Sequence, residues 1–224
     1  MGEYLHEQGC TCLGVRLAGH ATHPEDMIRS RWTDWAASVE DGYRLLCGVT
    51  DNIFLIGLSM GGVLSLLMST RLHVRGVIAM STPSRLPPGD DHPIWLLRLA
   101  SLVMRYRPKT KDAPGSGWFD KTAYQNHVAY ARNPVRSAVE LKKLILQMRA
   151  ALPKINVPVL LIHSKDETTI LPENMDEIYA GLVNAPDKVR LYITGSGHVL
   201  PRDASREQVF KSAVEFIQRV SIKD

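Results

Sequence analysis

The sequence predicts an α/β fold: a mostly parallel twisted sheet with helices on both faces and a small helical cap. Three observations carry this. Short apolar runs alternate with segments of helical length, the pattern that parallel strands and their crossovers impose. A Gly-Leu-Ser-Met-Gly turn, residues 57–61, joins one apolar run to an apolar helix. A proline-rich, helix-compatible stretch from 83 to about 153 then interrupts the alternation.

In order along the chain, residues 1–8 read as a helix tail that stops at Gly9, a residue suited to ending helices. Thr11 to Leu17 (TCLGVRL) is strand-like, and Ala18-Gly19-His20 ends it. Asp34 to Leu46 carries apolar residues three and four apart and predicts an amphipathic helix. Asn52 to Ile56 (NIFLI) predicts a buried strand, Val63 to Leu72 a buried helix, and Val74 to Met80 another strand. The middle region holds helices at Ile94 to Met104 and Ser137 to Ala151, with a Pro/Gly/Ser-rich hinge at 108–117 between them. Alternation resumes with strand Val157 to His163, helix Pro172 to Leu182, strand Lys188 to Ile193 and helix Ser205 to Val220. Residues 1–82 and 154–224 are therefore expected to form the core, and 83–153 a helical cap or lid inserted over one edge of the sheet.

Composition narrows the function. A chain of 224 residues, 45% hydrophobic and 22% charged, is an ordinary globular domain with room for one insertion. It can bury a sizeable core without metal or disulfide staples. The net charge of +4 is scattered among acids and forms no basic run, which argues against nucleic acid as a partner. Cys10, Cys12 and Cys47 are an odd set without C-x-x-C spacing, as suits a reducing, cytoplasmic setting. The first residues lack the basic-then-apolar pattern of a secretion signal. No apolar run reaches about 18 residues, so no stable membrane insertion is expected.

The chemistry centres on Gly57-x-Ser59-x-Gly61 between strand and helix. A serine at such a sharp turn is held in a strained conformation with its hydroxyl exposed above the sheet, and flanking glycines relieve the crowding. The following helix directs its positive end at developing negative charge, and the Met60 backbone N–H is one expected oxyanion donor. Serine needs a base oriented by an acid. Asp166 follows one strand in Ser-Lys-Asp-Glu, and His198 follows the next in Gly-Ser-Gly-His. The order Ser59, Asp166, His198 is that of serine hydrolases built on open α/β sheets. Glu167 is the alternative acid, and His20 and His163 are expected to be structural.

These residues carry a resemblance. VRLAGHATHPEDM, WTDWAASVEDGY, GLSMGG, IHSKDETTILPENMDEIY and GSGHVLPRDASREQVFKSAVEFI together resemble the bacterial carboxylesterase and monoacylglycerol-lipase-like group of the α/β-hydrolase superfamily. The resemblance implies Ser59 as nucleophile, His198 as general base and then acid, and Asp166 as its orienting partner. It implies a cap over 83–153 whose apolar residues line an acyl pocket, with Trp95, Leu96, Leu99 and Met104 as the candidates. Members of this group also carry an upstream strand ending in His-Gly, whose loop gives the second oxyanion donor. That segment has no counterpart here, so the α/β-hydrolase fold is expected to be N-terminally shortened. The strand lies mid-sheet in that group, between the counterparts of Thr11–Leu17 and Asn52–Ile56. Its absence should leave unpaired edges, a slot in the core and a tendency to form homo-oligomers.

The expected function is cleavage of carboxylic esters of short to medium acyl chains through an acyl-enzyme on Ser59, with no metal or organic cofactor. Thioesters, lactones or small amides would suit the same apparatus. The alternative is a catalytically impaired or non-catalytic binding module with an incomplete oxyanion hole.

Overall fold

A computed structural model describes residues 1–87, 89–108 and 117–221. Its centre is a four-stranded, wholly parallel sheet in the order β1-β2-β5-β6. The strands are β1 (Phe54–Leu58), β2 (Gly76–Met80), β5 (Val159–Ser164) and β6 (Lys188–Ile193). Register is level across the sheet: Leu58 pairs with Met80, Met80 with Ile162, and Ile162 with Leu191.

Period-two alternation divides the core into two layers. Val77, Ala79, Val159 and Leu161 face one layer, packed with α3 (Trp32–Cys47), α4 (Met60–Met68), α7 (Val135–Ala151) and α8 (Glu173–Gly181). Ile78, Met80, Leu160 and Ile162 face the other, against α9 (Arg206–Ser221). Helix α1 (Gly2–Glu7) completes that second layer, with the Tyr4 ring 5.3 Å from Phe210. In α9 the buried residues Val209, Phe210, Ala213, Phe216 and Val220 form one helical stripe. Helix α4 is instead buried from Gly62 through Met68, apolar nearly all round, as a helix between a sheet and a second helix layer must be. It begins at Met60, earlier than the sequence predicts.

The stretch expected to form the cap carries α5 (Ile94–Val103), β3 (Tyr106–Pro108), α6 (Lys121–Gln125) and β4 (Arg132–Pro134), followed by α7. It is not purely helical, because β3 and β4 pair antiparallel, Arg107 opposite Asn133. Residues 109–116 of the predicted hinge lie outside the described residues. Helix α7 also contributes Val139, Leu144, Ile145 and Met148 to the main core cluster, so its inner face packs as core.

One prediction is corrected. Thr11 to Leu17 is not a strand: it forms no ladder, and Thr11 through Arg16 are exposed. A strand is a property of pairing, and among the described residues this segment pairs with no strand. Among the described residues β1 pairs only with β2, leaving its other edge open. A slot of about 510 Å³ lies there, lined by Thr11, Leu13, Phe54, Ile56 and Ile217 among others.

Candidate active site

Ser59 sits between the end of β1 and the first residue of α4, with φ 54° and ψ −118°. A non-glycine residue in that region is strained, and it holds only because its surroundings fix it. The Ser59 N–H donates to the Met80 carbonyl at 2.8 Å, and the Ser59 carbonyl accepts from Val63 N–H at 3.1 Å. The glycines explain the tight turn, though not symmetrically. A β-carbon at Gly57 would fall 2.1 Å from the Gly61 backbone, and one at Gly62 would fall 2.0 Å from Thr82 Oγ1. At Gly61 a methyl would meet nothing within 4 Å, so its backbone, and not a missing side chain, shapes the elbow. As the first residue of α4, Met60 has an amide without an intrahelical partner, as an oxyanion donor requires.

His198 lies five residues past β6. Its Nδ1 is 2.9 and 3.0 Å from the two carboxylate oxygens of Glu167, which follows β5. The Glu167 side chain is fully buried, while His198 keeps 27% exposure. Burial by itself would raise the Glu167 carboxyl, but the His198 hydrogen bond and charge and the Ile170 N–H outweigh it and lower it from the usual value. A carboxylate at Nδ1 makes that nitrogen the donor and leaves Nε2 with its lone pair, the tautomer a general base requires. Because the strands end level, Ser59, Glu167 and His198 all emerge at the carboxyl end of the sheet, where open α/β sheets gather their reactive groups.

A second histidine lies near Glu167. His163, 1% exposed at the end of β5, places Nε2 2.7 Å from the Ile170 carbonyl and 3.9 Å from Glu167. Burial lowers its pKa, opposed by the Ile170 carbonyl and the Glu167 charge. His20, the other histidine expected to be structural, bonds the Ala18 carbonyl and packs edge-on against Trp35.

The model of the alpha/beta hydrolase family matches residues 3–212. The chain belongs to the α/β-hydrolase family. It is 29% identical over 220 residues to a thermostable monoacylglycerol lipase of Bacillus sp. strain H-257, covering 98% of this chain and 84% of that one. It is 25% identical over 221 residues to a carboxylesterase of Bacillus subtilis strain 168, covering 98% and 86%. Among solved structures, one described with the metagenome-derived lipolytic enzymes LipS and LipT superposes with a TM-score of 0.85 at 25% identity, over 97% of this chain and 86% of the other. A monoacylglycerol lipase of Paleococcus ferrophilus shares the fold with a TM-score of 0.70, over 86% and 76% of the two chains.

In this α/β-hydrolase the carboxylate against His198 is that of Glu167, the residue after Asp166. Asp166 does not meet His198. Its carboxylate accepts from Gly195 N–H at 2.7 Å and is exposed, and its own N–H donates to Ser164 Oγ. The turn after β5 aims Asp166 outward and Glu167 inward, so the alternative acid is the one against the imidazole. The cap candidates are also placed differently from expectation. Trp95, Leu96, Leu99 and Met104 are 39–63% exposed, and the buried residue of α5 is Leu97. Trp95 and Leu99 line a groove of about 560 Å³ against Arg136, Val139 and Lys143 of α7, which neither Ser59 nor His198 lines. Among the described residues no cluster of His, Cys, Asp or Glu is arranged to hold a metal, and no helix is long and apolar enough to cross a membrane.

Proposed function

We propose that this chain is a serine-type carboxylic ester hydrolase acting on short to medium acyl chains through an acyl-enzyme on Ser59. The observation that carries the reading is the His198 imidazole held through Nδ1 by buried Glu167, at the same sheet end as the strained Ser59 elbow. The monoacylglycerol lipase and carboxylesterase names of the relatives support the ester as substrate.

Ser59 Oγ attacks the ester carbonyl carbon while its proton passes to His198 Nε2. Glu167 stabilises the imidazolium, and the Met60 N–H receives the developing oxyanion. The C–O bond to the alcohol then breaks as His198 returns the proton to the leaving oxygen. A water molecule, deprotonated by His198, attacks the acyl carbon and releases the acid and free Ser59. Residues 83–153 serve as the cap, with the exposed apolar residues of α5, Trp95, Leu96, Leu99 and Met104, as first contacts for an approaching acyl chain. The three free thiols suit a reducing, cytoplasmic setting, and the open β1 edge favours homo-oligomers.

A second reading has a specific observation behind it. Among the described residues the segment beside β1 is exposed and forms no ladder, and the second oxyanion donor that the resemblance implies has no assigned residue here. Losing one such donor typically costs about 10²–10³ in turnover, which would leave a binding module or a slow enzyme. Hydrolysis of p-nitrophenyl butyrate by the purified chain, with Ser59→Ala beside it, tests the assignment. Serine-dependent turnover is expected, and equal rates for the two proteins would sink it.

A further inference from the structure

Asp203 is 0% exposed and stands outside the Ser59–His198–Glu167 relay. It lies between His198 and the start of α9. Its Oδ1 accepts from the N–H groups of Phe119 at 3.0 Å, Asp120 at 2.7 Å and Ala204 at 2.8 Å. Its Oδ2 accepts from Gly197 N–H at 2.6 Å and more distantly from Phe119 at 3.3 Å. These donors belong to three separate pieces: the cap segment that enters α6, the residue just before His198, and Asp203's own turn. A buried carboxylate ringed by N–H groups makes strong, charge-assisted bonds to each. The packing beside it is equally close, since a β-carbon at Gly197 would fall 1.6 Å from the Gly117 carbonyl oxygen. Asp120 in turn caps α6 through the Ala123 N–H and pairs with Arg206 at the start of α9.

We propose that Asp203 is a positioning residue that locks the cap to the His198 loop, so that docking of residues 117–125 and placement of the imidazole are one structural event. This rests on His198 being the base. Residue 197 is the link: it touches both the cap backbone and Asp203, and its neighbour carries the imidazole. Any opening of the cap at 117–120 removes donors from Asp203 and loosens Gly197. Relay geometry is therefore completed only when the cap segment is seated, and a misplacement of about 1 Å at a reacting group costs on the order of 10²-fold.

Asparagine separates this role from a plain turn cap. With Oδ1 kept on Phe119, Asp120 and Ala204, the new Nδ2 faces the Gly197 N–H, donor against donor. The flipped amide would confront three N–H groups and is worse. Asp203→Asn thus breaks the His-loop link while sparing the turn. The test measures p-nitrophenyl butyrate kinetics and amide hydrogen exchange on the full chain, wild type, Asp203→Asn and Ser59→Ala together. Asp203→Asn is expected to lower kcat at least about tenfold with KM changed less than about threefold. Exchange should quicken in 117–125 and 195–202 together. A kcat within about twofold of wild type, or faster exchange confined to 203–206, overturns the proposal. If Asp203→Asn does not fold, Gly197→Ala presses the same junction from the other side, with the same paired signature expected and the same failure counted. A Ser59→Ala protein that keeps full activity sinks the serine reading instead, and the exchange data still judge Asp203.

Discussion

On the β5–β6 side of the sheet, Glu167, His163, Asp166 and Asp203 each hold a defined hydrogen-bond partner, and Glu167, Asp166 and Asp203 each bond the segment 195–198. On the β1 side, residues 11–16 are exposed and face an unpaired strand edge across a slot of about 510 Å³. The first side is built from loops that bond to their own neighbours in the sheet. The second depends on a strand-to-strand contact that the described residues do not make. The two sides are therefore held to different degrees, and substitutions on them should differ in effect.

The largest effect should come from the nucleophile. Ser59→Ala is expected to lower turnover by about 10⁴–10⁶, measured with the same ester at high enzyme concentration. The acid comes next. Glu167→Gln should reduce kcat by about 10²–10⁴, because an amide at Nδ1 no longer fixes the imidazole tautomer or supports its charge. Asp166→Asn, which only weakens an exposed bond to Gly195, should stay within about threefold of wild type. If the two variants exchange these effects, the assignment of the acid is wrong.

Stability should divide along the same line. Leu161, 1% exposed in the central strand β5, should lose about 2–5 kcal/mol on truncation to alanine. Leu13, 42% exposed beside the slot, should lose no more than about 0.5 kcal/mol. Urea titration of both variants checks this, and a larger loss at Leu13 would mean that the β1 side is packed after all.

The smallest effect concerns acid. His163 has its pKa lowered from 6.5 by burial, so the unfolded chain binds the extra proton first. Its contribution is fully present above pH 6.5 and is lost as pH falls towards the folded value. Glu167, lowered from 4.5, adds a loss that sets in only below that pH. His163→Asn should flatten the upper part of the stability profile and leave the lower part, read as urea midpoints between pH 7 and 4.

Much of this was legible in the sequence, for physical reasons. The alternation of strands and helices, the elbow at Ser59 and the histidine after the last strand are local patterns, fixed by side-chain period and turn chemistry. Three features were not local. Thr11–Leu17 has the composition of a strand, but pairing decides, and among the described residues it pairs with none. Asp166 and Glu167 are adjacent carboxylates at the same strand end, and only the turn that bonds Ser164 Oγ to Asp166 N–H and Glu167 to Ile170 N–H chooses between them. Asp203 gave no signal because its donors at Phe119 and Asp120 come from a segment 83–84 residues away. The three-residue strands β3 and β4, each ending in proline, are too short to show a period.

The most direct test of the relay is the rate at which a fluorophosphonate probe labels Ser59 in the wild-type chain, Glu167→Gln and Asp166→Asn. Labelling reads nucleophile activation without requiring the full turnover cycle. The expected result is stoichiometric labelling of wild type and Asp166→Asn at similar rates, with Glu167→Gln slower by about 10²-fold or more. A folded wild-type chain whose Ser59 stays unlabelled, or a Glu167→Gln protein labelled as fast as wild type, would contradict the account.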